Sequence, residues 1–385
     1  MRVAYLVGGI GKTGGNVVLF HHMESLAAAG HDVNIISPFG SAKWEIGTLA
    51  ADSVPSQKIG YNRIWKPLRL AQEKVRKTHP KIEGWVTQLW RGDVFDYHQK
   101  ITKGLLKNWV ESEITIATHS YTAYAAALLG SETTAYYHMQ GYEPWFSNDR
   151  DHQMLSNLSY RLPLKKIANC RWLQKKVDLL SGDTSGLVRP GLNHSIFYPR
   201  EQENTERRNR SNNDIVIVSY ADRRPLKGWA ESVEAVRLLT RELGGRYNIR
   251  WKIFGNLAVN IDDLSVEHCG FLDHNNLAKL YSEADIFFLP SWFESFPLQP
   301  IEAMACGAAV VTTEIGTDDF AVGGLTSLVV PPRAPDELSG ALAKLILDRE
   351  LRENIATAGL KKAREFTWER SASELRNVLE MSAVN

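Results

Sequence analysis

Short apolar runs of strand length alternate with helix-length amphipathic stretches along most of the chain, and this alternation restricts the fold more than any other feature. Strands that alternate with helices form a parallel sheet covered by those helices, so the pattern predicts an α/β architecture. The runs come in two sets. Residues 2–7, 31–37, 114–118 and 134–139 are strand candidates in the first half, and 215–220, 249–254, 286–289 and 309–312 in the second. Between the sets, residues 199–214 are dominated by Glu, Asn, Arg and Gln. They have almost nothing to bury, which predicts an exposed linker or loop. A length of 385 residues suits two cores better than one. Residues 368–381 carry Trp368, Ala372, Leu375, Val378 and Leu379 near helical spacing, predicting an amphipathic helix that packs on another element.

Charge and cysteine content exclude some classes. With 45 basic and 44 acidic residues, the net charge offers no attraction for nucleic acid. Cys170, Cys269 and Cys306 are scattered, which argues against a disulfide framework and a zinc site and fits a reducing compartment. No uninterrupted apolar run approaches the roughly 20 residues that span a bilayer. The chain opens directly on a strand pattern, so a cytoplasmic protein is expected. Residues 63–107 break the alternation, with eleven Lys and Arg against four Asp and Glu, and with Trp65, Trp85, Trp90, Phe95 and Tyr97 among them. Two readings stand: a basic, aromatic surface for peripheral contact with an anionic membrane, or a solvated helical insertion whose aromatic rings pack inward.

Residues 7–15, Val-Gly-Gly-Ile-Gly-Lys-Thr-Gly-Gly, follow the first strand. Gly9, Gly11 and Gly14 fit a dinucleotide fingerprint, but the second strand ends in Ser37-Pro38 rather than in the acidic residue that would hold a ribose. Residues 8–13 also look like a deviant Walker loop. That family would have a lysine at Val7 and an aspartate after the second strand, and both are missing here. A third reading needs only a tight, glycine-permitted turn that lets a substrate approach the backbone at a helix N-terminus.

The stretch Leu289-Pro-Ser-Trp-Phe-Glu-Ser-Phe-Pro-Leu-Gln-Pro-Ile-Glu-Ala-Met-Ala-Cys-Gly307 is the most informative. It follows a buried strand. Pro300 suits the first position of a helix that Gly307 ends, which would place Glu302 in the first helical turn and Glu294 in the preceding loop. Free amides there favour an anion such as a diphosphate, and a carboxylate there can accept two vicinal hydroxyls. Taken singly, Glu302 is also explained as dipole complementarity, and Glu294 as an exposed loop acid. After strand 215–220 come Arg223, Arg224, Lys227 and Gly228, a basic loop that can hold phosphates without metal.

Together these segments resemble glycosyltransferase family 4, whose members are retaining enzymes of GT-B fold that use nucleotide-sugars. PSWFESFPLQPIEAMACG is similar to the family's PSxxEGFGLPxLEAMAxG, with Phe296-Pro297 where Phe-Gly is usual. Arg223-Arg-Pro-Leu-Lys227-Gly resembles its GR…KG element, with either Arg223 or Arg224 as the match and Arg223 preferred. Residues 266–291 are similar to the family's stretch before the first glutamate. Ile116–Tyr124 and Tyr136–Phe146 resemble a subgroup that includes rhamnan-synthesis rhamnosyltransferases. Val188-Arg-Pro-Gly-Leu-Asn193 is similar to the family's hinge, and Lys12–Gly15 to the lysine-glycine loop of starch synthases.

The resemblance implies two Rossmann-like domains facing across a cleft. Residues 1–195 would bind the acceptor and 196–365 the donor, with 366–385 crossing back to the first domain. It implies Arg223 and Lys227 at the diphosphate and Glu302 at the ribose. Glu294, with Ser295 and Phe296, would meet the sugar, and backbone around Phe271 and Leu272 the base. Lys12, Gly14 and Gly15 would close over the phosphates, with His119 near the reacting carbon and Tyr121, Gln140, Tyr142 and Glu143 toward the acceptor. It implies no resident cofactor and no metal. The donor would be dTDP-rhamnose or a UDP or GDP sugar, and the acceptor a glycan or lipid-linked glycan of surface polysaccharide synthesis. A GT-B epimerase or sugar-nucleotide binding protein, and a Walker-type ATPase, are the alternatives.

Overall fold

Both sets of apolar runs form sheets in the computed structural model, which describes residues 1–9, 14–49, 94–257 and 261–380. The chain divides into two units, Met1–Asn169 with Leu173–Val188 and the chain from Ala372 onward, and Cys170–Trp172 with Arg189–Ser371.

The first unit contains β1 (Arg2–Leu6), β2 (Asp32–Ser37), β3 (Gly40–Lys43), β4 (Ile114–Ala117), β5 (Thr134–Met139), β6 (Lys165–Ala168) and β7 (Gly186–Leu187). They form one sheet in the order β3-β2-β1-β4-β5-β6-β7. All neighbours are parallel except β2 and β3, which form a hairpin. Strands β3, β6 and β7 carry too few apolar residues to show a period. The helix Trp368–Glu380 buries Leu375 and Leu379 among Val3, Tyr5, Ile116 and Tyr136, so the amphipathic pattern of the last segment finds its partner on this sheet. Gly186 is required there, because a Cβ would lie 2.8 Å from the Val378 methyls.

The second unit contains β8 (Asp214–Ala221), β9 (Asn248–Gly255), β10 (Val266–His268), β11 (Ile286–Leu289), β12 (Ala309–Thr313) and β13 (Leu328–Val330), in the all-parallel order β10-β9-β8-β11-β12-β13. Trp251, Phe288, Val311 and Ile217 fill its core with Leu239 and Leu342 from the covering helices Trp229–Leu243 and Pro335–Leu347. In each sheet the strand order reverses once, at β1/β4 and at β8/β11. Loops leaving the carboxyl ends of such strand pairs diverge and leave room for a ligand.

Residues 199–214 differ from the expected linker, because Glu201–Asn209 is a helix. It has no apolar stripe to signal it. Guanidinium groups hold it instead: Arg207 Nη1 donates to the carbonyls of Ala284 and Gly307 (both 2.9 Å), and Arg210 Nη2 to that of Glu283 (2.5 Å). Of the basic, aromatic stretch 63–107, residues 63–93, with Trp65, Trp85 and Trp90, lie outside the described residues. The rest belongs to the helix Val94–Asn108, which buries His98, Ile101 and Leu105 and exposes Phe95 and Tyr97. No described helix is long and apolar enough to cross a membrane.

Candidate functional site

The loops after β8 and β11 leave adjacent parallel strands at the reversal point of the second sheet and are stitched together. Trp292 N donates to the Leu226 carbonyl at 2.8 Å. Gly228, at φ 70°, lets the first loop run against Pro290, whose carbonyl oxygen would lie 2.1 Å from any Cβ there. Trp292 is fixed on both sides, by a hydrogen bond from Nε1 to Glu231 (2.8 Å) and by the Arg333 guanidinium 3.8 Å from its ring centre. The result is a contact between residues 67 apart in sequence: Lys227 Nζ lies 2.5 Å from Glu294 Oε1, with side chains only 12% and 13% exposed.

The two arginines beside Lys227 have different environments. Arg224 turns back on Asp222, with Nε and Nη2 donating to its carboxylate at 2.9 and 2.8 Å. Burial pushes the Asp222 carboxyl up, but the hydrogen bonds from Arg224 outweigh this and hold it at about 2. Arg223 is exposed, and no hydrogen bond or ion pair engages its guanidinium among the described residues.

The helix after Glu294 begins earlier than expected. It spans Leu298–Ala305, with Pro297 as N-cap, so Pro300 is its third residue and Glu302 its fifth, beyond the first turn. Proline fits anywhere in a first turn, where backbone N–H groups lack intrahelical partners, so it does not by itself fix the start. Gly307 ends the helix at φ 87°. Glu302 is 8% exposed, and burial pushes its carboxyl up to about 8, with the Tyr281 hydroxyl acting in the opposite sense. Phe296 adopts φ 57°, an unusual left-handed conformation for a residue with a side chain, and its ring is buried between Phe320 and Phe366. Gly316, at φ 78°, passes under Glu294, whose carbonyl oxygen would lie 2.0 Å from a Cβ there. Ser295 Oγ lies 3.6 Å from Cys170 Sγ. Phe271 is 81% exposed, on the turn between β10 and the helix His274–Glu283, with the partly exposed Leu272 beside it.

At the reversal point of the first sheet, the glycine-rich start meets Tyr121 and Gln140. A Cβ on Gly8 would lie 2.0 Å from the Tyr121 ring, and one on Gly15 would lie 3.5 Å from Gln140 Cβ. Lys12 lies outside the described residues, and Gly14 opens the helix Gly14–Ala28. His119 precedes the helix Ser120–Leu128 and stacks on Tyr121, with ring centres 5.0 Å apart. Glu143 is 3% exposed and accepts hydrogen bonds from Ser120 N (2.9 and 3.0 Å) and Tyr137 Oη (2.7 Å), while His119 Nδ1 lies 3.5 Å from its Oε2. Tyr142 packs between Tyr160 and Trp145 and donates to Asn157 at 2.8 Å. Both side chains are therefore engaged within the protein. Sequence pattern singled out His119 and Glu143 separately; their coupling, and the parts of Tyr137, Trp292, Asp222 and Gly316, come from pairings that no local spacing announces.

Burial disfavours the His119 charge, but the Glu143 carboxylate outweighs it and raises the ring's pKa. Burial likewise raises the Glu143 carboxyl, yet His119, Tyr137 and Ser120 N bring it below the ordinary value. Glu143→Gln keeps the shape and removes the charge, so the His119 pKa is expected to fall in this variant. A histidine NMR titration of both proteins measures this, and an unchanged His119 pKa would show that Glu143 does not govern the ring.

Among the described residues, no group of three or more His, Cys, Asp or Glu is placed to hold a metal ion.

Residues 201–362 match the family model for Glycosyl transferases group 1. A D-inositol 3-phosphate glycosyltransferase from Kribbella flavida is 29% identical over 205 residues, which is 48% of each chain. The chain thus spans about half the length of the curated relatives it matches. Two solved structures align over the whole chain. Sucrose-phosphate synthase from Thermosynechococcus elongatus has a TM-score of 0.68 at 19% identity and 100% coverage of both chains. Anabaena HepE in complex with UDP and glucose has a TM-score of 0.68 at 15% identity, covering 99% of this chain and 100% of its own. The fold is GT-B, built of two Rossmann-like parallel-sheet domains.

Proposed function

We propose that the chain is a retaining glycosyltransferase that moves a sugar from a nucleoside diphosphate to a glycan or lipid-linked glycan acceptor. The observation that carries this is the Lys227–Glu294 contact at the β8/β11 reversal, with Arg223 open beside it and Glu302 buried on the following helix. HepE, of the same fold, holds UDP and glucose. Arg223 and Lys227 meet the diphosphate, Glu302 the ribose, Glu294 with Ser295 and Phe296 the transferred sugar, and the turn at Phe271 and Leu272 the base. The resemblance gives His119 a role at the reacting carbon, Tyr121, Gln140, Tyr142 and Glu143 roles toward the acceptor, and Lys12, Gly14 and Gly15 roles toward the phosphates. The anomeric carbon–phosphate oxygen bond breaks as the acceptor oxygen bonds to the same face, and the leaving phosphate oxygen takes the acceptor's proton. Fixed cations stabilise the charge that develops on the diphosphate, so no divalent metal is required. The reaction belongs in the cytoplasm, with residues 63–107 as the peripheral contact to a membrane carrying the acceptor. The donor is dTDP-rhamnose, as in the subgroup that Ile116–Tyr124 and Tyr136–Phe146 resemble, or a UDP or GDP sugar.

Thermal unfolding with UDP, dTDP, GDP, ADP and ATP, each with and without Mg²⁺, tests this. A ligand at about 100 times its Kd adds roughly 2.7 kcal/mol of stability. One nucleoside diphosphate is expected to raise Tm without metal and thereby name the base. A shift with Mg²⁺ and ATP alone would overturn the proposal in favour of a Walker loop at residues 8–13. Binding of a nucleotide-sugar without turnover on any acceptor would leave a binding protein.

A further inference from the structure

The loop after β13 carries no residue assigned to the donor, yet one of its side chains reaches the donor loops. It reads Pro331-Pro332-Arg333-Ala334 and ends at Pro335, the first residue of the helix Pro335–Leu347. The Arg333 guanidinium lies 3.8 Å from the centre of the Trp292 ring, in the loop after β11. Strand β12 separates β13 from β11 in the sheet, so this side chain reaches over one strand.

Arg333 makes that contact from an unfavourable backbone. It adopts φ 59°, in the left-handed region where the Cβ of any residue but glycine is crowded. Among the described residues other than glycine, only Phe296 and Arg333 do so. For Phe296, the ring buried between Phe320 and Phe366 accounts for it. Arg333 buries no such group. It is exposed, and no hydrogen bond or ion pair engages its guanidinium among the described residues. A strained conformation persists only where its surroundings over-determine it. Here the stack on Trp292 does so, in a segment with little room to relax. Pro331, Pro332 and Pro335 fix their own φ, and Pro335 disfavours the helical region for Ala334.

Trp292 is where the two donor loops are joined. Its backbone N donates to the Leu226 carbonyl at 2.8 Å, next to Lys227, and Glu294 follows it by two residues. Its Nε1 donates to Glu231 at 2.8 Å. A carboxylate at the N–H edge and a guanidinium at the face carry opposite charges, so each polarises the indole in favour of the other. We infer that Arg333 is a positioning residue for the donor site: by capping Trp292 it holds Lys227 and Glu294 in register without touching the donor. The ligand in this inference rests on the sugar-transfer proposal, whereas the coupling between these side chains does not.

Two measurements on the full chain test it. Glycine suits φ 59°, so Arg333→Gly removes the side chain without straining the fold. In urea unfolding, the drop in the folding equilibrium constant caused by Lys227→Ala is expected to be at least about threefold smaller in Arg333→Gly than in wild type, and equal drops would overturn the inference. Isothermal titration then follows UDP, dTDP and GDP. Whichever binds wild type is expected to bind Arg333→Gly about tenfold more weakly, and Arg333→Lys within about threefold of wild type, since lysine keeps a cation over the ring. Trp292→Leu, which removes the ring, should weaken binding to a similar degree, and adding Arg333→Gly to it should change nothing more. A further loss in that background would make Arg333 a direct ligand and overturn the positioning role, as would undiminished affinity in Arg333→Gly. Binding of none of the three to wild type would remove the sugar-transfer reading, and the unfolding comparison alone would then decide the role of Arg333.

Discussion

Lys227→Ala is expected to cut kcat/KM for sugar transfer by about 10²–10³, the usual loss when one fixed charge-stabilising group is removed. The group sits 2.5 Å from Glu294 and is largely shielded from water, where a cation acts more strongly than at the surface. Losing it also strands the Glu294 carboxylate, so the variant should lose stability as well as activity. These two effects separate in the double variant Lys227→Ala/Glu294→Gln. With no charge left unpaired, its Tm should recover toward wild type while its turnover stays as low as in the single variant or falls further. Steady-state kinetics with the donor identified by thermal shift, alongside unfolding curves, provide both readouts. Transfer at wild-type rates in Lys227→Ala, or activity that recovers in step with stability, would assign this pair a purely structural role. Arg223→Ala should lower turnover with little change in Tm, because its exposed guanidinium engages no partner among the described residues.

The eight predicted strand runs correspond to eight observed strands because a strand buried on both faces must be almost wholly apolar, as in Ile286–Leu289 and Ala309–Thr313. Residues 201–209 escaped the same logic, since a helix held by Arg207 and Arg210 on backbone carbonyls needs no hydrophobic period. The start of the helix bearing Glu302 was misplaced because proline is compatible with several first-turn positions. In the candidate site, residue types were legible but their states were not. Lys227 and Glu294 could be named from their loops, yet their contact depends on β8 and β11 being neighbours. Pattern alone preferred Arg223 over the adjacent Arg224 without a physical reason, and the bond from Arg224 to Asp222 gives the two different environments. Glu302 was read as a first-turn carboxylate, and only the packing around Tyr281 shows it to be buried.

That burial makes Glu302 a measurable cost to the fold. Its carboxyl titrates at about 8 in the folded chain against 4.5 ordinarily, so between these values the folded state keeps a proton that the unfolded state has lost. Stability attributable to Glu302 is therefore greatest below pH 4.5, falls by up to about 1.4 kcal/mol per pH unit as pH rises toward 8, and levels off above 8. Glu302→Gln removes the titration. The stability of this variant relative to wild type should accordingly grow from pH 5 to pH 8 in urea unfolding, reaching a few kcal/mol. A difference that does not vary with pH would show that the carboxyl titrates normally. Nucleotide binding should move the other way. If the ribose hydroxyls donate to an ionised Glu302, the proton must leave on binding, so nucleoside diphosphate affinity should rise with pH up to about 8 in wild type and lose that part of its pH dependence in Glu302→Gln. A variant both more stable and weaker in nucleotide binding would identify a carboxylate kept in the core for its ligand, at the expense of the fold. A variant more stable with unchanged affinity would remove Glu302 from the donor site while leaving Arg223, Lys227 and Glu294 in place.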